Sequence, residues 1–377
     1  MAPTAAAPDR EARPAAGVGV LRGLLPLVAV GVFVLTVGAT LALAGDTMGY
    51  DFGAYHAAAV RILDGQPLYD ASAAVAGPGG LFLYPPPFAL LMLPFGLFPV
   101  GVATLLWIGL LVMAFTAGTA VLPVSGTVRW VVVLLAGLSW PFVYATKLGQ
   151  VGAVLYLLFA VGWRWMDRPA ALGVSGALGT IVKLQPGLVL AWAALTRRWT
   201  ALAIGIGALL VSAAVATLVL GPGVWADYLT LLGRVNDSIT TPHNFAPGAL
   251  AYQSGLSRDA AAALQFVSTA AAAVLFVVAA LRRPAVTSYL VAVVVSQLVS
   301  PVAWDHYAML LLLPVAWLLD RGHWWAVLVP LATSLPLIGV IPAGVYPASY
   351  WVVLLALVVL GDREARPARV AREAAAG

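Results

Sequence analysis

LLPLVAVGVFVLTVGATLALAGDTMGYDFGAYHAAAVRILDGQPLYDASAAVAGPGGLFLYPPP, residues 24–87, is the stretch on which the fold turns. Residues 24–44 carry no charge. At about 1.5 Å of rise per residue, such a run is long enough to cross a hydrocarbon layer about 30 Å thick. An acidic, aromatic loop follows. Asp46, Asp51, Asp64 and Asp70 stand there against the single Arg61, in a chain of which only 9% is charged. An apolar run that opens into such an island, and then into further apolar runs, is the pattern of a polytopic membrane protein whose polar residues collect for a purpose.

The rest of the chain agrees. It has 377 residues, 62% of them hydrophobic, and a mean hydropathy of +0.97. A water-facing shell needs far more charge than this. The apolar runs are helix-length and not the alternating segments of about ten residues that build a barrel, so the fold class is all-α. With no cysteine, disulfides, thiolate nucleophiles and cysteine metal sites are excluded. His56, His243, His306 and His323 are scattered, so neither a metal nor a resident cofactor is expected.

Residues 1–22 are rich in Ala and Pro and read as a disordered tail, residues 23–361 as the membrane domain, and residues 362–377 as a basic tail. A cleaved signal peptide competes for the first apolar run. Its length, and the lack of a small-residue cleavage site before the acidic loop, favour a retained span. Residues 88–98 are too short to cross comfortably and read as re-entrant or interfacial. With that segment not crossing, about twelve spans remain. With the N-terminus taken as cytosolic, Arg129, Arg164, Arg168, Arg197, Arg198, Arg282, Arg283, Arg321 and the C-terminal tail all fall on the cytosolic side, as the positive-inside rule requires. The polar islands fall on the opposite face. They are the Asp51 loop, TKLGQ with Lys147 and Gln150, IVKLQP with Lys183 and Gln185, the 221–258 excursion, and SPVAWDHY with Trp304, Asp305 and His306.

Each island has a bland reading beside a sharp one. Asp51 is either a helix N-cap or a fixed carboxylate able to take a proton from a hydroxyl; Tyr50, Phe52, Tyr55 and His56 surround it, at the start of a short amphipathic helix. Asp64 sits in a DGQP turn. Tyr84 leads three prolines that stiffen the chain and can frame a groove. Lys183, just before Pro186, either snorkels to headgroups or neutralises a lipid phosphate. His306 is either an interface residue or a ligand of phosphate or sugar, and Asp305 beside it points elsewhere if the segment is helical. Tyr252 and Gln253 lie in a loop whose aromatics and amides suit sugar rings as well as any ordered loop.

Together these segments resemble membrane glycosyltransferases of the GT-C type, and more closely glycosyltransferase family 87, whose members are polyprenyl-phosphate-mannose-dependent mannosyltransferases. The resemblance rests on DFGAYHAAAVRILDGQPLYD, LFLYPPPFALLMLPFGLFP, KLGQ, IVKLQP and SPVAWDHY. It implies transfer of mannose from a lipid-phosphate donor to a hydroxyl of a glycolipid or glycan on the non-cytosolic face, with inversion and without nucleotide. It further implies Asp51, in the first outer loop, as catalytic base and Lys183 and His306 as ligands of the donor phosphate. Tyr55, His56, Tyr84, Gln150, Trp304 and Gln253 are then substrate-binding candidates. Gly152 and Tyr252 depart from the asparagines that many members carry there. A transporter or flippase for a lipid-linked or small polar substrate is the alternative; it would be favoured by internal symmetry, which the sequence does not display.

Overall fold

The structure, a computed structural model, describes residues 16–69, 81–234 and 237–361. Both tails (residues 1–15 and 362–377) and Asp70 lie outside the described residues. Every regular element described is helical.

Among the described residues, four helices are long and apolar enough to cross a membrane: Gly23–Leu43, Val100–Val121, Trp199–Leu220 and Arg258–Arg282. They keep large apolar side chains on the outside, such as Leu35 at 70% exposure, Leu218 at 85% and Phe266 at 74%. A contiguous apolar surface of that kind calls for lipid, not water. The interior is built from shorter helices. In Ala285–Leu298 every residue from Thr287 to Leu298 is buried, and so is every residue from Leu312 to Leu319 in the helix Leu312–Asp320. Around this centre Pro169–Val182 packs on Trp199–Leu220, Val100–Val121 on Gly152–Arg164, and Val345–Leu360 on Ala285–Leu298. An element walled by protein need not match the bilayer's thickness, because its ends meet polar protein rather than lipid. That accounts for several expected spans being only 10–17 residues long.

Three of the apolar runs counted among the twelve spans, residues 130–145, 307–319 and 324–341, are broken. In the first, Gly126–Leu138 and Trp140–Leu148 meet at 68°. Ser139 is extended there, and Pro141, with no N–H and a ring that fouls the preceding turn, stops the first helix from continuing. The freed Trp140 N–H donates to Ser334 Oγ at 2.9 Å. Residues 307–319 begin as the 3-10 helix Asp305–Leu311 before Leu312–Asp320 takes over. Residues 324–341 are the short pieces Trp324–Val327, Leu328–Ala332 and Leu335–Ile338, with Pro330 and Pro336 interrupting. If the bent pair counts as one span, five membrane-length elements are described.

The bend has a consequence. It swings Trp140–Leu148 so that its C-terminal end meets the acidic loop. Gly49 N–H donates to the Lys147 carbonyl at 2.8 Å and Asp51 N–H to the Leu148 carbonyl at 2.9 Å.

Candidate active site

Asp51 occupies the N-cap position of Phe52–Leu63, yet its side chain makes no capping bond. Its Oδ2 instead accepts from Gln150 Nε2 at 2.6 Å, across ninety-nine positions of sequence. Two glycines allow this approach. Gly49 and Gly149 sit at φ of 71° and 70°, in the left-handed region, and a Cβ on Gly149 would lie 2.7 Å from Cβ of Phe52. The Gly149 carbonyl accepts from Trp107 Nε1 at 2.7 Å. Phe52 stacks on Trp107 at 5.7 Å, so the backbone beneath the carboxylate is held by packed rings.

Gln150 is the hub. Its Oε1 accepts from Tyr55 OH at 3.0 Å, Tyr84 OH at 2.9 Å and Val151 N–H at 3.0 Å. The two tyrosine hydroxyls are 2.6 Å apart. With Oε1 taken by the Val151 N–H and by the tyrosine hydroxyls, which share two protons among three contacts, the amide nitrogen must face Asp51, which fixes the carboxylate's orientation. Tyr55, Tyr84 and Gln150 therefore form one network under Asp51. Burial raises the Asp51 pKa above its ordinary value. The charges that His306 and Lys183 can carry, and the Gln150 hydrogen bond, pull it back.

Lys183 caps Pro169–Val182 in extended backbone, and the next element, Gln185–Gly187, carries Pro186. Its ammonium lies 3.7 Å from the ring centre of Tyr307 and 6.0 Å from that of Tyr84. This is a cation–π seat that leaves the ammonium's N–H groups available to an anion. His306 is buried, and neither ring nitrogen has a hydrogen-bond partner. Nδ1 is 3.4 Å from Asp305 Oδ1 in geometry that makes no bond. A buried imidazole without partners is costly unless a ligand completes it.

Asp305 corrects the expectation that it points away from His306. As the first residue of a 3-10 helix it folds back, accepting from the His306 N–H at 2.7 Å and, on Oδ2, from Trp140 Nε1 at 3.1 Å. The departure at Gly152 also has a physical reason: a Cβ there would lie 2.5 Å from Sδ of Met309, so the glycine lets the His306-bearing segment pack closely.

The remaining candidates sit elsewhere in the architecture. His56 Nε2 is 3.0 Å from the Phe98 carbonyl, joining its helix to the end of Pro86–Gly96. Gln253 Nε2 donates to the Asn244 carbonyl at 2.8 Å. Trp304 caps the 3-10 helix and is half-buried. Asn244, fully buried, was not singled out by sequence. Its Nδ2 donates to the Ser238 and Pro301 carbonyls at 2.7 and 3.0 Å, and its Oδ1 accepts from Ala246 N–H and Ala303 N–H, both at 2.9 Å. It ties the 237–246 loop to the SPVAWDHY segment, while Gln185 Nε2 reaches Ser300 Oγ at 3.0 Å. Hydrogen bonds thus join the Asp51 loop to TKLGQ, and IVKLQP and the 237–246 loop to SPVAWDHY, with Lys183, 6.0 Å from the Tyr84 ring, between the two groups. An asparagine between Pro242 and Pro247 was the available signal, since prolines supply no N–H and leave neighbouring carbonyls in need of donors. Tyr307 was the other omission, hidden by its adjacency to His306.

The arrangement brings a partly buried carboxylate, an ammonium and an unpartnered imidazole from three distant stretches into one electrostatic neighbourhood. The first suits proton abstraction and the other two suit an anionic leaving group. Among the described residues, no three His, Asp or Glu side chains gather where they could hold a metal ion.

Comparison with known proteins places the chain. It is 28% identical over 261 residues to the "polyprenol-phosphate-mannose-dependent alpha-(1-2)-phosphatidylinositol pentamannoside mannosyltransferase" of Mycobacterium tuberculosis (strain CDC 1551 / Oshkosh). The match covers 63% of this chain and 58% of that relative's length. No solved structure matches it. The model of glycosyltransferase family 87 matches residues 82–301, more than half of the chain and spanning Tyr84, Gln150 and Lys183, and the protein belongs to that family.

Proposed function

We propose that this protein is an integral-membrane mannosyltransferase that uses a polyprenyl-phosphate donor and a glycolipid or glycan hydroxyl as acceptor, working on the non-cytosolic face of a bacterial-type inner membrane. The observation that carries this reading is the Asp51–Gln150–Tyr84 network, with the Lys183 ammonium 6.0 Å from the Tyr84 ring and 3.7 Å from that of Tyr307, the neighbour of His306, within a family 87 chain. Asp51 takes the proton of the acceptor hydroxyl as its oxygen attacks the anomeric carbon. The new C–O bond forms on the face opposite the breaking bond to the phosphate, so configuration inverts. The electron pair of that bond leaves with the polyprenyl phosphate. Lys183 and His306 meet the charge that grows there, as a preorganised pair in a water-poor site.

In this reading the arginines lie on the cytosolic side, and the shorter apolar helices add crossings, within the protein's interior, to the four or five membrane-length elements. The relative's name supports a mannose-bearing phosphatidylinositol glycolipid as the class of acceptor. The test is to incubate purified full-length protein with polyprenyl-phosphate mannose, glucose and arabinofuranose and follow which donor is consumed. Consumption of the mannosyl donor, dependent on acceptor, supports the proposal. Consumption of none of them, under conditions where the protein moves a lipid-linked substrate across vesicles, would replace it with transport.

A further inference from the structure

Beside the acid–base network lies a cleft of about 670 Å³, within the range of small-molecule sites, about 300–1,000 Å³. Its walls include Trp140, Tyr144, Phe245, Val340 and Tyr346, with Asp305 among them. Trp140 and Tyr144 are one helical turn apart and stack at 4.6 Å with 14° between planes, and Phe245 and Tyr346 pack at 4.7 Å. Aromatic pairs from three remote stretches therefore frame a space with a carboxylate at its edge. Lys183, Tyr84 and Tyr307 are not among its walls. Tyr144, one of its walls, approaches the His306 ring at 6.1 Å.

We propose that this cleft is a pyranose subsite that holds a sugar ring of the acceptor. The inference rests on the transferase reading above and names what that site takes. The C–H face of a pyranose carries slight positive charge and seats on the electron-rich face of an aromatic ring, which gives orientation without needing a charged ligand. Asp305 supplies the polar anchor. Its two oxygens each already accept one N–H, from His306 and Trp140, which fixes the carboxylate. A carboxylate has about four acceptor positions, so lone pairs remain for sugar hydroxyls. The side chain is only 16% exposed, so those positions gain from a donor that water supplies poorly. The acceptor, not the donor, is the occupant because Lys183 and His306 are not among the cleft's walls, while Tyr144, which is, stands on the helix whose Leu148 carbonyl accepts from the Asp51 N–H.

The probes are methyl α-D-mannopyranoside and α-linked mannobiose, with full-length protein in nanodiscs, read by saturation-transfer NMR in the absence of donor. Saturation of ring protons is expected in the wild type and in Asp51→Asn. Tyr144→Ala and Tyr346→Ala should weaken binding about three- to tenfold, the worth of one aromatic contact, and Tyr144→Phe and Tyr346→Phe should restore it. If an alanine variant does not fold, Val340→Trp serves instead: Val340 is 63% exposed on the cleft's rim, so the indole fills the space without removing core. No saturation in the wild type, or saturation unaltered by Val340→Trp, overturns the subsite even if the protein transfers mannose. In turnover, Val340→Trp should raise the KM of a mannose-bearing phosphatidylinositol acceptor and spare that of the donor; the reverse pattern overturns the acceptor assignment. Loss of glycoside binding in the variants of a protein that consumes no lipid donor would keep the sugar site and remove the transferase.

Discussion

Gln150→Leu separates an orienting amide from a substrate contact. In the wild type the amide donates a 2.6 Å hydrogen bond to Asp51 while Tyr55, Tyr84 and Val151 saturate its carbonyl oxygen. Leucine keeps the volume and removes the bond. A hydrogen bond to a charged group contributes about 1.5–3 kcal/mol, so at about 1.4 kcal/mol per tenfold the loss is about one to two orders of magnitude in kcat. The same bond favours the ionised carboxylate, so its removal raises a pKa that burial has already raised. A general base works only when deprotonated. Activity is therefore present above that pKa and lost as pH falls through it, and in Gln150→Leu the acid limb of kcat/KM moves to higher pH. The assay is initial rates against pH for wild type and variant in nanodiscs with polyprenyl-phosphate mannose and a mannosylated phosphatidylinositol. An unmoved acid limb, with only the acceptor KM raised, would mean that Gln150 binds substrate and does not orient Asp51.

Other perturbations test other joints. Lys183→Gln removes a charge from the leaving-group side and should lower kcat by about 10²–10³, with acceptor KM little changed; a rate within a few-fold of wild type would take Lys183 out of the site. Gly149→Ala forces a Cβ against Phe52 at a positive φ and should destabilise the fold by about 1–3 kcal/mol, read as a lower midpoint of thermal unfolding. Asn244→Ala leaves two carbonyls and two N–H groups of a buried junction unpaired and should cost at least about 1–3 kcal/mol, seen as earlier unfolding and faster proteolysis of the 237–258 region. An Asn244→Ala protein as stable as wild type would show that the junction is held by packing alone.

Local chemistry was the legible part of the sequence. A charge-free run of bilayer length announces lipid, because backbone polar groups can be satisfied there only by a helix. Asp51, Lys183 and His306 stood out because charge and imidazole are scarce in this chain. What apolar content could not reveal was which runs face lipid and which are sheathed by protein. Leu312–Asp320 and Trp199–Leu220 are both strongly apolar, yet one is enclosed and the other is largely exposed. Pro141 was visible, but whether a proline kinks a span or turns it through 68° depends on whether a partner such as Ser334 waits for the freed N–H. The family resemblance gives Gln150 as a substrate-binding candidate. Its bonds to Asp51 and two tyrosines come from residues up to ninety-nine positions away, beyond the reach of local pattern. Regular α-helical geometry would turn Asp305 away from His306, but the chain instead starts a 3-10 turn and folds the carboxylate back.

Single-turnover transfer by Asp51→Asn, with lipid-linked mannose and acceptor both saturating, bears most directly on the account. Asparagine keeps the shape and removes the base, so the transfer rate should fall by about 10²–10⁴ while both substrates still bind. Transfer at a near-normal rate would contradict it, since no carboxylate would then be needed to take the acceptor's proton.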